Sequence, residues 1–318
     1  MCLQTDTKPD LYVMNEGQPH HEENSADFRD LRLIHIEFIC ISHLVSNCCL
    51  PIKTISDTMA DDFDTGDMFK DPEGFYPPEK EPTFAEHRML SGQVVRVRLV
   101  GSHPLYGNML WNAGRISSEY IETHAPALIA GKDVLEIGAA AGVPSIVSAI
   151  MGARTTVMTD YPDPDLVDNM RQNADASASM IPTDPPSSLH VTGYKWGSDV
   201  EPLKAYLPEE SRADGFDVLI MADVVYSHRE HGNLVKTMQE TLKRQKDAVA
   251  LVIFTPYEPW LLPQTERFFP LAEQGGFTVT KVFEKLTEKV LFENDPGDER
   301  LRRTVFGYEL RWKDDEVR

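Results

Sequence analysis

The sequence predicts an α/β protein whose doubly wound, Rossmann-like parallel sheet ends in an antiparallel β-hairpin. From residue 115 onward, short apolar runs alternate with stretches of helical periodicity, and this alternation favours a parallel sheet with right-handed crossovers. A turn of small residues at 138–142 follows the first of these strands. The last two strand-like segments, 278–285 and 304–312, have no helix-length pattern between them, so we expect them to pair in antiparallel fashion.

The predicted elements follow one another in a regular order. An alternating segment at 91–101 predicts a strand or hairpin arm ahead of the main sheet. The next five strands are predicted at 133–137, 155–159, 190–195, 216–221 and 248–254, and the helices at 115–130, 143–151, 164–178, 229–244 and 260–274. Seven strands with a reversed last strand are typical of methyltransferases and separate them from nicotinamide-binding folds.

The chain divides into three parts by composition. Residues 1–58 are interpreted as an extension that is disordered or an artefact of gene prediction, with Met59 as the alternative initiator. Their apolar stretch, 31–45, contains charged residues that disfavour a membrane span, and it lacks the features of a signal peptide. Residues 59–90 form an acidic, proline-rich arm without periodicity. The catalytic domain is predicted to span 91–318.

Charge and cysteine content limit the classes of function. A formal net charge of −20 disfavours nucleic acid as a direct substrate and favours a basic protein partner, although acidity also serves solubility. All four cysteines lie in the first fifty residues: Cys2, Cys40, Cys48 and Cys49. The remaining chain therefore has no disulfide framework, zinc cluster or cysteine nucleophile, which fits a reducing, intracellular location. No metal site is predicted.

The turn at 138–142 is the most informative motif. Gly138 allows the backbone to bend and a ligand to approach, and Gly142 allows the next helix to pack on the strand. A strand–helix turn without a ligand is the structural alternative. Glu136 precedes the turn and Asp160 closes the next strand, where an acidic residue holds the hydroxyls of a ribose. This geometry suits NAD as well as S-adenosylmethionine.

Three features favour S-adenosylmethionine over NAD. Ala140 stands where the dinucleotide motif has its middle glycine, a long segment precedes the first strand, and the C-terminal strands form a hairpin. Trp196 follows the third strand, where an aromatic ring can cover adenine; its alternative is a core tryptophan. Trp111 precedes the first helix and either lines the methionine end of the cofactor or anchors that helix.

The acceptor site is predicted beyond the fourth strand. In open α/β sheets the chemistry lies outside the carboxyl ends of the strands, where this chain has Asp223 and Tyr226. A helix cap and a packed aromatic residue are the alternative. The loop after strand five contributes Tyr257 and Glu258 as candidates for an acceptor channel, or merely a turn and a helix start. His228 is a candidate base, although a lone histidine in a loop is more often a surface or capping group.

The predicted reaction is an in-line displacement by a neutral amine, so the protein contributes chiefly by positioning the nucleophile. An α-amino group, with a pKa near ~8, loses its proton more readily than lysine at ~10.4. Asp223 would hold the incoming ammonium by a charge-assisted hydrogen bond. Tyr226 and Trp111 would stabilise methylated ammonium by cation–π contacts, which would allow repeated methylation.

Several motifs together resemble the lysine methyltransferases that carry an Asp-x-x-Tyr motif after strand four. They are Glu136–Gly142 (EIGAAAG), Asp160–Pro162 (DYP), Trp196–Gly197 (WG) and Asp223–Tyr226 (DVVY). Pro72–Pro78 (PEGFYPP) and Leu110–Gly114 (LWNAG) narrow the resemblance to the fungal protein N-terminal and lysine methyltransferases that act on translation elongation factor 1-alpha. The resemblance runs from about residue 60 to the C-terminus and does not include 1–58.

This resemblance implies the seven-stranded class I methyltransferase fold and methylation of the factor's N-terminal glycine and adjacent lysine in the cytoplasm. Elongation factor 1-alpha is then the protein partner, without direct contact to nucleic acid or membrane. Asp223 and Tyr226 are implied as catalytic residues. The implied contacts to S-adenosylmethionine are made by Trp111, Gly138, Ala139, Ala140, Asp160, Trp196 and Ala222.

Four other functions remain compatible with parts of the sequence. Another protein-lysine methyltransferase would use the same motifs. A non-catalytic module that binds the cofactor is disfavoured by the presence of Asp223 and Tyr226. A nicotinamide-dependent oxidoreductase is disfavoured by the loop spacing and the terminal hairpin. A small-molecule methyltransferase is disfavoured by the acidic arm and the open loop after strand five.

Overall fold

A seven-stranded mixed sheet organises the protein. The computed structural model describes residues 81–101 and 103–317; the predictions for 1–58 and for most of the acidic arm lie outside these residues. The strands are β1 (Thr83–Arg88), β2 (Val94–Leu99), β3 (Asp133–Ile137), β4 (Thr155–Asp160), β5 (Ser188–Gly193), β6 (Val218–Ala222), β7 (Val249–Phe254), β8 (Phe277–Leu286) and β9 (Thr304–Trp312). In the large sheet their order is β5-β4-β3-β6-β7-β9-β8.

The last strand is the only reversed strand of the large sheet. Strands β3 to β7 pair in parallel, whereas β9 pairs antiparallel with both β7 and β8. Strand β9 therefore inserts between β7 and β8 instead of extending the edge. This arrangement confirms the predicted doubly wound sheet with a C-terminal antiparallel hairpin, which is the class I methyltransferase topology.

Helices cover both faces of the large sheet. They are α1 (Asn112–Leu128), α2 (Val143–Ile150), α3 (Pro164–Ser177), α4 (Glu201–Lys204), α5 (Glu209–Arg212), α6 (His231–Thr241), α7 (Leu262–Glu266), α8 (Phe268–Gln274) and α9 (Glu299–Arg303). Neighbouring strand residues alternate between two hydrophobic clusters: Val134 packs in the cluster of α1 and α2, and Leu135 in the cluster of α6 and α8. Continuous apolar strands are thus buried on both faces, as parallel sheets require.

The region predicted as one helix at 260–274 is broken. The structure has a 3-10 turn at Pro259–Leu261, then α7, and then α8 after Arg267. Pro270 lacks the N–H that would bond the carbonyl of Glu266 in a continuous helix, so the chain must interrupt its hydrogen-bond ladder there. Similarly, the helix predicted at 229–244 begins with a 3-10 turn, and its α-helical part is His231–Thr241.

A small hairpin of β1 and β2 precedes the large sheet. These strands pair antiparallel, with Thr83 opposite Leu99 and Arg88 opposite Val94. The alternating side chains of β2 predicted it, but composition assigned β1 to the irregular arm. Of the six β1 residues only His87 is buried, so its strand conformation comes from pairing with β2 and not from its own apolar pattern. The boundary expected at 90/91 falls in the turn of this hairpin.

The hairpin is fixed to the side of the sheet that carries α3. Asn173 accepts the N–H of Arg98 at 2.7 Å and donates to its carbonyl at 2.9 Å, and Asn169 donates to the same carbonyl at 3.0 Å. These bonds satisfy the backbone of β2 away from its partner strand. In the part of the chain that is described, no helix has the length and hydropathy of a membrane span.

Candidate methyl-transfer site

The turn after β3 is built from left-handed backbone conformations. Gly138, Ala140 and Gly142 have φ values of +73°, +50° and +78°. A Cβ atom on Gly138 would lie 2.7 Å from Cγ1 of Val224 and 3.3 Å from the ring of Trp196. Glycine is therefore required at this position by both backbone conformation and space. At Gly138 the backbone of the turn therefore packs directly against Val224 and Trp196.

Asp160 stabilises this turn from the end of the neighbouring strand. One carboxylate oxygen accepts the N–H of Ala140 at 2.7 Å, and the other accepts the N–H of Tyr161 at 2.7 Å. A non-glycine residue in the left-handed region costs about 1–2 kcal/mol, and the bond from Asp160 offsets this cost at Ala140. Burial raises the pKa of Asp160. Each oxygen keeps a lone pair with which it can accept a ribose hydroxyl.

Glu136 has a structural role. Its side chain is buried and accepts the N–H of Ser145 at 2.9 Å, and the hydroxyl of Ser145 donates to the same oxygen. These contacts join β3 to the N-terminal turn of α2. Burial raises the pKa of Glu136 to about 8. The sequence correctly placed Glu136 beside the turn, and the structure shows that it supports the turn from within the core.

Asp223 lies where three elements meet. It follows β6 with a left-handed φ of +50°, and one carboxylate oxygen accepts the N–H of Thr255 at 2.8 Å. The other oxygen accepts the N–H of Ala113 in α1 at 3.2 Å and faces the hydroxyl of Tyr257 at 3.3 Å. Asp223 thus connects the ends of β6 and β7 to the first turn of α1.

Several features of this junction have opposing effects on the pKa of Asp223. Burial raises the pKa of Asp223 to about 7, while the N–H donors of Thr255 and Ala113 and the hydroxyl of Tyr257 lower it. The N-terminus of α1 carries partial positive charge, which also favours the carboxylate. Burial raises the pKa of Tyr257 well above its usual value. Tyr257 therefore stays protonated, accepts the N–H of Asn112 at 3.1 Å and donates to Asp223.

An aromatic cluster lies next to Asp223 and contacts it through the hydroxyl of Tyr257. The ring centroid of Trp111 lies 5.1 Å from that of Tyr257, 5.8 Å from that of Phe292 and 6.1 Å from that of Tyr106. Tyr226 contacts Tyr106 edge-to-face at 6.2 Å and is 52% exposed. We call these five residues the aromatic cage. The electron-rich faces of such rings attract cations, and the cage is open to solvent at Tyr226.

The structure separates the predicted site residues into two groups. Gly138, Ala139, Ala140, Asp160 and Trp196 gather at the turn after β3, and Ala222 ends β6 two residues before Val224. Trp111, Asp223 and Tyr226 gather in and around the aromatic cage. Trp111 also precedes α1 as its N-cap and donates its indole N–H to the carbonyl of Tyr106 at 3.0 Å. Both interpretations of Trp111, an anchor and a wall, are compatible with this position.

Sequence reasoning missed two cage residues, Tyr106 and Phe292. Tyr106 has a left-handed φ of +60°. The sequence Leu105-Tyr106-Gly107 indicates a turn but does not indicate a functional role for the tyrosine. Phe292 lies in the charged segment between β8 and β9, which predicts an irregular connection only. The candidate base His228 faces elsewhere: its Nε2 lies 3.0 Å from the hydroxyl of Thr265. It lines a cavity of about 420 Å³ whose walls include none of the cage residues.

Known proteins share this chain's sequence over most of its length. Residues 101–268 match the family described as lysine methyltransferase. The protein N-terminal and lysine N-methyltransferase of Emericella nidulans is 99% identical over 257 residues, which cover 81% of this chain and 99% of that protein. This chain belongs to the family of protein N-terminal and lysine N-methyltransferases.

More distant members of the family match over a similar length. The protein of the same description from Aspergillus fumigatus is 75% identical over 78% of this chain and 94% of its own length. The one from Neurospora crassa is 44% identical over 83% of this chain and 94% of its own length. The predicted resemblance and the predicted enzyme class, an S-adenosylmethionine-dependent protein methyltransferase, are thereby confirmed.

The cofactor of this methyltransferase family, S-adenosylmethionine, fits the residues around the turn after β3. The glycine turn presents backbone beside the ring of Trp196, which provides an aromatic face, and Asp160 provides free lone pairs for hydroxyls. When bound, the cofactor supplies a methyl group that is already activated on sulfur. Ala222 and Val224 flank Asp223 in the sequence, and Val224 contacts Gly138, so the end of β6 connects the cofactor region to the cage.

The protein's own residues can bind and position an amine. The cage excludes water from one side of an entering ammonium group and offers it aromatic faces. The carboxylate of Asp223 contacts the cage through the hydroxyl of Tyr257, and its other oxygen keeps a lone pair that can accept a hydrogen bond from that ammonium. Loss of the amine proton to solvent then yields the neutral nucleophile, held in line for transfer.

Proposed function

We propose that this methyltransferase modifies the N-terminal glycine and the adjacent lysine of translation elongation factor 1-alpha in the cytoplasm. The aromatic cage around Asp223 carries the proposal. It combines a carboxylate with five aromatic rings, a composition that suits an amine before and after methylation. The relatives' description as protein N-terminal and lysine methyltransferases supports both kinds of acceptor.

The mouth of the cage supports a macromolecular acceptor. Tyr106 is 47% exposed and Tyr226 is 52% exposed, so two rings of the cage remain accessible. Exposed apolar side chains that are grouped in this way mark interaction sites. The strongly acidic chain, with a net charge of −20, attracts a basic partner and repels the phosphates of nucleic acids.

A methyl-transfer assay in extract tests the proposal. The purified enzyme and labelled S-adenosylmethionine are added to a cytosolic extract from a strain that lacks the gene, and labelled peptides are mapped by mass spectrometry. We expect label on the N-terminal glycine of elongation factor 1-alpha and on the lysine that follows it. The Asp223→Asn variant serves as the control, and we expect it to leave both residues unlabelled.

The other outcomes each select a different conclusion. Label on lysines of other proteins, with none on elongation factor 1-alpha, would retain the enzyme class and reject this substrate. Absence of any label, with calorimetry still showing binding of S-adenosylmethionine, would favour a non-catalytic interaction module. Fractionation of tagged protein tests the location, and accumulation in an organelle would contradict the cytoplasmic assignment.

A further inference from the structure

The connection between β8 and β9 has a defined conformation. The guanidinium of Arg302, a buried residue, donates to the carbonyl of Phe292 at 2.7 Å. Arg303 donates twice to the carbonyl of Thr287, at 2.9 and 2.7 Å, while the N–H of Thr287 donates to the carbonyl of Arg303 at 2.8 Å. Hydrogen bonds from charged donors are stronger than neutral ones. The two arginines of α9 therefore fix both the start and the middle of this connection.

This fixed connection forms one wall of the acceptor site. The ring of Phe292 lies 5.8 Å from Trp111 and 5.8 Å from Tyr257, whose hydroxyl faces Asp223. At the far end, a Cβ atom on Gly297 would lie 3.2 Å from Pro259 and 3.3 Å from the ring of Trp260. The connection thus packs against the loop after β7 as well as the cage.

The exposed side of the same wall is acidic. Residues 287–298 and the loop after β7 contain five carboxylates and one lysine: Glu258, Glu288, Glu293, Asp295, Asp298 and Lys289. Asp298 caps α9 through the N–H of Leu301. None of the other four carboxylates forms an ion pair within 4.0 Å with a described residue. In contrast, the buried Asp133 at the opposite edge of the sheet is paired with Arg154 and Lys243.

We propose that the β8–β9 connection and the loop after β7 form the docking surface for a cationic peptide segment that follows the acceptor amine. Phe292 seals the cage on this side, and Glu258, Glu293 and Asp295 attract the lysine or arginine side chains of the segment. Charge complementarity and continuity with the cage select this occupant, because an anionic or apolar segment would meet unpaired carboxylates. This inference rests on the proposed function, of which it specifies the substrate class.

Peptide binding to the full-length enzyme with S-adenosylhomocysteine tests the docking surface. The probes are fluorescein-labelled decapeptides that begin with glycine and lysine and carry three further lysines, or three glutamines, at positions four, six and eight. Exposed ion pairs each contribute a few-fold at most, so we expect the lysine peptide to bind about tenfold more tightly at low salt. The Glu258→Gln/Glu293→Gln/Asp295→Asn variant should reduce this preference to below about twofold.

A matched variant distinguishes the effect of the docking surface on peptide binding from the effect of the enzyme's net charge. Asp175→Asn/Glu209→Gln/Asp214→Asn removes three exposed carboxylates near the opposite edge of the sheet, and it should keep the tenfold preference expected above. Equal loss in both variants, or full preference in the first, would overturn the docking surface. Methylation of the lysine peptide is measured separately. Binding that depends on the three carboxylates, without methylation, would reject the proposed acceptor while the docking surface stands. Methylation with binding that does not depend on them would reject the docking surface and retain the proposed acceptor.

Discussion

The two ends of the methyl-transfer site are built in different ways. At the cofactor end, backbone groups dominate: Gly138, Ala140 and Asp160 form a turn whose partners are 20 or so residues apart. At the acceptor end, side chains dominate, and the hydrogen bonds of Asp223 and Tyr257 to α1 span 110 and 145 residues. The cofactor end is formed by residues close in sequence, and it tolerates few substitutions because its backbone conformation requires particular residues. The acceptor end is formed by side chains that the whole fold brings together, and these side chains can vary with the substrate.

The largest expected effect tests the backbone character of the cofactor end. Gly138→Val forces a β-branched residue into a left-handed conformation next to Val224, and we expect the Kd for S-adenosylmethionine to rise on the order of 100-fold. Gly131→Val is the matched control, because Gly131 has a φ of +72° and no atom within 4 Å of its added Cβ. Calorimetry checks both variants. Equal losses would show that strain alone, and not the site, causes the effect.

Two aspartate substitutions test whether the cofactor end and the acceptor end control different parameters. Asp160→Asn replaces a carboxylate oxygen that is predicted to accept a ribose hydroxyl, so we expect the cofactor Kd to rise about 10- to 100-fold while kcat at saturating cofactor changes little. Asp223→Asn places an amide N–H₂ against the N–H of Thr255 or Ala113, and we expect kcat to fall by about 100-fold at nearly unchanged cofactor Kd. If both variants changed the same parameter, the two ends would not be separate.

The pH dependence of kcat tests the partner of Asp223. Because the pKa of Asp223 is about 7, the carboxylate is lost as pH falls through this value, and activity should show an acid limb there. Tyr257→Phe removes a donor that lowers this pKa, so the limb should move upward by roughly half to one pH unit. Tyr206→Phe, distant from the cage, is the control. A limb that stays in place would exclude Tyr257 as a positioning residue.

The smallest expected effect concerns Glu136, which supports the cofactor end from within the core. Its folded pKa of about 8 exceeds its usual value of 4.5, so its contribution to stability is present below 4.5 and is lost as pH rises through 8. Glu136→Gln keeps the acceptor for Ser145 without a buried charge. We expect its Tm to exceed that of the wild type by a few °C at pH 8 and to converge near pH 5.

Exposed carboxylates provide the comparison for this measurement. Glu209→Gln should leave the slope of Tm against pH unchanged, because Glu209 lies on the surface. A Glu136→Gln variant that followed the wild-type slope between pH 5 and 8 would contradict the raised pKa. In that case the support of the cofactor turn would not depend on the protonation of Glu136.

The sequence-based predictions were correct for features that depend on local patterns and wrong for features that depend on long-range pairing. The strand–helix alternation, the reversed last strand and the turn at Gly138 were predicted, because each depends on a pattern within about thirty residues. The hairpin strand β1 and the break at Arg267 within the segment predicted as one helix were not. The exposed residues of β1 show no apolar alternation, so only its pairing with β2 defines it as a strand.

By itself, the sequence determined the class of fold and placed Asp160, Asp223 and Tyr226 at or just after the ends of strands, because these positions depend on close spacing along the chain. Their roles in the site stay predictions. Only the tertiary structure decided that Tyr106, Tyr257 and Phe292 join Trp111 in one cage. It also decided that Asp223 bonds α1 and the end of β7 at once. The physical reason is that inserting β9 between β7 and β8 brings the β8–β9 connection to the acceptor edge, a pairing that no local pattern encodes.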